Sequence, residues 1–144
     1  MNGDTRLPVL RVVGFAKRRK HPYRPERFMI SSYVGLEELL ARTADRSLGM
    51  QAVRVLIAMM AECDYENRVR GGQKDLARKL GMNQAHVSRA IRTLIDLGFV
   101  ENPHNDRGRY VVSPKMCWKG DEDSLRAALS ERNMLGADGF MRAA

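Results

Sequence analysis

The chain has 144 residues, room for one domain with a modest core, and a formal net charge of +8 with a pI near 10.0, which favours a polyanion as partner. Its two cysteines, Cys63 and Cys117, are far apart and form no CxxC, which argues against a disulfide framework and fits a reducing cytoplasm. No apolar run approaches the ~18–20 residues that span a membrane, and the basic run follows the first apolar stretch, the wrong order for a secretory leader, so the expected location is cytoplasmic and away from membranes.

The charge is unevenly placed. Residues 1–31 hold eight Lys/Arg against two acids, net +6, and residues 32–67 hold three against six, net −3. Residues 68–119 hold eleven against four, net +7, and residues 120–144 hold three against five, net −2. This divides the chain into a basic N-terminal arm or hairpin (1–31), a central domain (32–120) and a C-terminal helical segment (121–144).

Residues 7–16, LPVLRVVGFA, are apolar and β-branched, long enough for a strand but without clean alternation. Lys17, Arg18, Arg19 and Lys20 then cluster, and Pro22 and Pro25 forbid a regular helix after them. This stretch reads equally as a phosphate-binding arm or as a solvated basic loop or charged strand edge. Phe28, Met29 and Ile30 resume apolar character and can pair back on residues 9–15. Residues 32–43 predict a short helix capped by Ser32, with Leu36, Leu39 and Leu40 on one face. A second helix is expected from Ser47 to about Cys63, apolar nearly all round and so buried on several sides. Its Met59 and Met60 read as core filler. Residues 64–72 read as a polar loop.

Residues 73–97, QKDLARKLGMNQAHVSRAIRTLIDL, predict two helices joined at a tight corner. Leu76, Ala77 and Leu80 give the first an apolar edge, and Gly81 tolerates the φ > 0 at which a helix ends best. Asn83 can cap a second helix starting at Gln84. On it Val87, Ile91, Leu94 and Ile95 recur every three or four residues and mark the buried side. Gln84, Ala85, Ser88, Arg89 and Arg92 face outward, and most are side-chain types that hydrogen-bond base edges and phosphates. His86 reads equally as a base or phosphate contact and as a surface histidine without a role. An ordinary helical hairpin would share the periodicity, but Ala77, Gly81 and inward Val87 together match a helix-turn-helix.

Gly98 follows as a C-cap. Phe99 and Val100 on one side, and Tyr110, Val111 and Val112 on the other, flank a turn-forming cluster at 103–108, which predicts a β-hairpin. A hairpin directly after such a helix is a wing, with Arg107 and Arg109 near its tip in reach of backbone or minor groove. Lys74 and Arg78 beside the corner are placed for phosphates. Ser113-Pro114 ends the strand, and Met116, Cys117 and Trp118 are expected on the core. A last helix from about Ser124 to Leu135 puts Leu125, Ala128, Leu129 and Leu135 on one side, for a dimer contact or for packing on its own domain.

Nothing suggests catalysis. His21, His86 and His104 fall in three different elements without ligand spacing, so no zinc site is expected. There is no GxGxxG or Walker-type loop, and Asp121, Glu122 and Asp123 suit the negative start of a helix. No metal, no cofactor and no enzymatic activity are expected.

The runs AVRVL (52–56), QKDLARKLGMNQAHVSRAIRTLIDLGFV (73–100) and RYVVSPKMCWKG (109–120) resemble winged-helix plasmid replication initiators of the RepL type. The helix-turn-helix and wing are shared with regulators similar to the MarR and Crp groups. Only Ser113-Pro114 and Trp118-Lys119-Gly120 lean toward replication. The resemblance implies binding to repeated or palindromic double-stranded DNA and recruitment of host replication proteins. The expected fold is therefore α+β, mainly helical: a winged helix-turn-helix with an N-terminal strand or arm and a C-terminal helix. The expected function is sequence-specific DNA binding as a homodimer, for plasmid replication or, alternatively, transcriptional regulation of a plasmid or phage. A winged helix used for protein contacts is a third reading.

Overall fold

The computed structural model describes residues 29–106 and 108–136. Along them run β1 (Ile30–Ser31), α1 (Tyr33–Ala44), α2 (Met50–Ala61), a short 3-10 turn (Tyr65–Asn67), α3 (Gln73–Leu80), α4 (Gln84–Asp96), β2 (Val100–Glu101), β3 (Val111–Val112), β4 (Cys117–Trp118) and α5 (Glu122–Glu131). The expected α+β winged helix is what forms. α2, α3 and α4 pack on one another, and β2 pairs antiparallel with β3 to make the wing, Val100 opposite Val112. Their shared core holds Val55, Leu56, Met59, Leu76, Val87, Ile91, Leu94, Phe99 and Val112, all with at most 2% exposure. Ile30, Trp118, Leu125, Ala128 and Leu129 form a smaller cluster beneath α5. The apolar side of α5 is thus occupied within its own chain.

The helix-turn-helix follows the local signals closely. Gly81 sits at φ 62°, ψ 33°, and Asn83 Oδ1 accepts from the Ala85 amide at 2.8 Å. Gly98, at φ 81°, carries the chain from α4 into the wing.

Ile30 pairs with Trp118 of β4, while Phe28 and residues 9–15, the expected partner stretch, lie outside the described residues. Four expectations need correction. α2 begins at Met50 with Gly49 as cap, because Ser47 is engaged by Asp45 through its amide (2.8 Å) and its hydroxyl (2.5 Å). Ile57 on α2 is 58% exposed, so that helix is not buried all round. Leu36 and Leu40 of α1 are also exposed, at 39% and 69%, while Leu39 of the same expected face packs against the core. The buried residue of α1 is Gly35, where a Cβ would lie 2.2 Å from the Lys115 carbonyl oxygen. α1 therefore approaches the chain at 115–116 through a position without a side chain.

The fourth correction concerns residues 64–72, which are more than a polar loop. Arg68 bridges Val111, and the Val69 amide donates to the Tyr110 carbonyl at 2.9 Å, adding a third short lane beside the wing. Asn67 is fully buried at φ 63°, a left-handed conformation that Asn tolerates better than most residues. Its Nδ2 donates to the carbonyls of Val112 (2.9 Å) and Cys117 (2.6 Å), and its Oδ1 accepts from the Lys119 amide at 2.9 Å. One side chain thus ties the 3-10 turn to the end of the wing and to β4.

Candidate nucleic-acid interface

The outward face of α4 and the inner side of the wing enclose an open groove of about 520 Å³. From α4 it is lined by Gln84, Ala85, Ser88, Ile91, Arg92 and Ile95, and from the wing side by Asn102, Asn105 and Tyr110, with Gln73 at the start of α3. Four expected contact residues, Gln84, Ala85, Ser88 and Arg92, therefore share one concave surface. His86 and Arg89 are exposed on α4 outside that lining. Gln73, Asn102, Asn105 and Tyr110 were not singled out from sequence as contact residues. Gln73 Nε2 donates to Tyr110 Oη at 2.8 Å, joining the start of α3 to the root of the wing. A helix-opening Gln and an aromatic with a polar tip were the available signals, and neither is specific.

The cations of this face differ in what already holds them. Among the described residues, no carboxylate lies within ion-pair distance of Lys74, Arg89 or Arg92. Arg78 sits 3.5 Å from Asp75, and Arg109 sits 3.2 Å from Asp106, both on exposed surface where such pairs exchange readily with other anions. Asn83 is exposed, but its side-chain oxygen is committed to the helix cap. Arg107 and the cluster Lys17, Arg18, Arg19, Lys20 lie outside the described residues.

Much of the remaining positive charge of residues 68–119 is structural. Lys79 pairs with Glu62, just past the end of α2, which holds that carboxyl below its usual range. Lys115 lies 3.0 Å from both oxygens of Glu38, 4.8 Å from the centre of the Phe99 ring and 3.4 Å from the Leu97 carbonyl at the end of α4. Lys119 donates to the Cys63 carbonyl at 2.6 Å. Charge near the helix pair is therefore divided: Lys115 and Lys119 are partly buried in contacts within the fold, while Lys79, like Arg78 and Arg109, forms its pair on exposed surface.

Residues 113–120, which carried the resemblance to replication initiators, have roles within the fold. Ser113 is buried and donates its amide to the Phe99 carbonyl at 2.9 Å, and the Met116 amide closes a turn onto the Ser113 carbonyl at 3.0 Å. Trp118 is 3% exposed, with its indole N–H bonded to Ser124 Oγ at 2.9 Å. A Cβ on Gly120 would lie 2.5 Å from that indole nitrogen. Ser113, Met116, Trp118 and Gly120 thus each have a place in the packing of the fold.

Among the described residues, no group of three or more His, Cys, Asp or Glu could hold a metal ion, and no helix is long and apolar enough to cross a membrane.

A family model described as the IclR helix-turn-helix domain matches residues 52–104. That span begins in α2, contains α3 and α4 whole and ends in the turn of the wing. Neither the comparison with curated proteins nor that with solved structures gave a match. The matched region is a DNA-binding helix-turn-helix, carried on a winged-helix fold.

Proposed function

We propose that this chain is a sequence-specific double-stranded DNA-binding protein that regulates transcription. The observation that carries the reading is the coincidence of the matched helix-turn-helix with an outward α4 face bearing Gln84, Ser88, Arg89 and Arg92. In this reading α4 lies in the major groove with its N-terminal residues toward base edges. Gln84 addresses adenine, and Arg89 or Arg92 addresses a guanine or a phosphate. Lys74, Arg78 and the wing arginines hold backbone, and so does the cluster at 17–20. A two-fold dimer of such domains covers half-sites about one helical turn apart.

Plasmid replication initiation, with recruitment of host replication proteins, used the same DNA chemistry but rested on residues 113–120, of which Ser113, Met116, Trp118 and Gly120 have places in the packing of the fold. A protein-contact role would want exposed apolar or aromatic anchors on α4, where the chain has polar and cationic side chains instead.

Selection of bound sequences from random duplex DNA tests the proposal. An enriched motif that also represses or activates a reporter promoter supports it. Binding with no enriched sequence sinks it, and a motif active only in supporting plasmid maintenance returns the replication reading.

A further inference from the structure

Tyr33, Leu36 and Leu40 stand at i, i+3 and i+7 on α1 and are 54%, 39% and 69% exposed, so they form one apolar stripe turned away from both cores. A helix whose periodic apolar face is left to solvent, in a chain this small, implies a cover. We propose that residues 7–16 of this same chain, LPVLRVVGFA, dock on that stripe and anchor the basic cluster at 17–20 beside the domain. The proposal concerns the arm alone and stands whether or not the DNA reading holds.

Three observations select this occupant. The first is reach: twelve residues separate Ala16 from Met29 and can extend to about 40 Å. Tyr33 to Leu40 spans only about 10 Å along a helix, and Tyr33 begins four positions after Met29. The second is composition, since seven of the ten residues in 7–16 are apolar by type (Leu7, Val9, Leu10, Val12, Val13, Phe15, Ala16). The third is charge: residues 1–31 carry net +6 and residues 32–67 net −3, and exposed Glu37 adjoins the stripe. A tethered segment also acts at an effective concentration in the millimolar range, which a second copy of the chain cannot match in dilute solution.

Hydroxyl-radical footprinting of the full-length protein reads the stripe directly. Docking predicts that Tyr33 and Leu40 are oxidised several-fold more slowly than in the full-length variant carrying Val12→Asp and Val13→Asp. Oxidation at the same fast rate in both would overturn the proposal. A second full-length variant with Leu40→Cys and Val12→Cys, oxidised in dilute solution, should give a crosslink between peptides containing positions 12 and 40 at monomer mass. A crosslink found only at dimer mass assigns the stripe to a second copy and sinks docking within the chain. Absence of any 12–40 link, with the footprint unchanged by the aspartates, sinks it equally.

Discussion

Arg132, just past the end of α5, holds both carboxylate oxygens of Glu101 in the wing strand β2, with Nε 2.7 Å from Oε2 and Nη2 2.8 Å from Oε1. Its Nη1 also donates to the Ala128 carbonyl at 2.9 Å, so the guanidinium is fixed on its own helix while it grips the wing. The hydrogen bonds to Glu101 raise the guanidinium pKa further. Both side chains are about a quarter exposed, which places the pair between a screened surface contact and a buried one. Arg132→Ala should lower stability by about 1–3 kcal/mol, because two charge-assisted bonds are lost together. Arg132→Lys should recover only part of this, since an ammonium cannot present two parallel donors. Urea unfolding of both variants and of Glu101→Gln measures it. An Arg132→Ala protein as stable as the parent would remove the pair from any account of how α5 supports the wing.

Asn67 offers a sharper case, because its three hydrogen bonds serve three backbone groups that lie far away in sequence. Asn67→Ala leaves the Val112 and Cys117 carbonyls without that donor and should cost roughly 2–4 kcal/mol. Asn67→Asp keeps the acceptor for the Lys119 amide but turns the other oxygen toward two carbonyls, and should be at least as damaging. Equilibrium unfolding ranks the two. A loss below half a kcal/mol for both would show that water replaces the side chain.

The parts of this fold that local chemistry decides were legible in the residues, and those decided by distant partners were not. Gly81 and Asn83 shape the corner between α3 and α4 through their own backbone preferences, so the pattern sufficed there. Asn67 sits in a stretch of polar residues, and nothing local says that its amide will meet positions 112, 117 and 119. The stripe of α1 misled for the opposite reason. Periodicity marks an apolar face, but of Leu36, Leu39 and Leu40 only Leu39 packs against the core, and the close approach of α1 to residues 115–116 is made at Gly35, which has no side chain. Of the interface, the α4 residues follow from helical spacing. The groove's far wall, Asn102, Asn105 and Tyr110, depends on how the wing folds back. Net charge was the coarsest guide, since a count of cations cannot distinguish Lys115, bound to Glu38, from Arg89.

The two thiols make a pH prediction. Burial pushes Cys63 up to about 12 from an ordinary 9.0 and pushes Cys117 up as well, so both stay protonated in the fold. In the unfolded chain they ionise near their ordinary value, so above that pH the unfolded state binds fewer protons and is favoured. Their contribution to stability is complete below about pH 9 and is lost as pH rises toward 12. Unfolding free energy measured at pH 8 and at pH 10.5 should fall more in the parent than in a Cys63→Ala, Cys117→Ala variant. Alkylation of the native thiols should likewise be slow at neutral pH, since the reactive thiolate is scarce and buried. Fast labelling of either cysteine in the folded protein would contradict the packing around β4.

The interface itself is best tested by comparing cations that differ in their present partners. Arg89 and Arg92 have no carboxylate in ion-pair range among the described residues, whereas Arg109 must first leave Asp106 at 3.2 Å. Arg89→Ala should therefore weaken binding to a selected site by ~1–3 kcal/mol and relax preference at one base position. Arg109→Ala should weaken all sequences alike by less, because the phosphate contact it loses was opposed by release from Asp106. Asp106→Asn removes that competitor and should do the reverse, strengthening non-specific binding and steepening its dependence on salt. Fluorescence anisotropy with specific and scrambled duplexes across a salt series separates these effects. If Asp106→Asn leaves the salt slope unchanged while Arg89→Ala abolishes specificity, α4 reads the site without help from this wing residue. If neither variant alters binding, the outward face of α4 is not the surface that meets DNA.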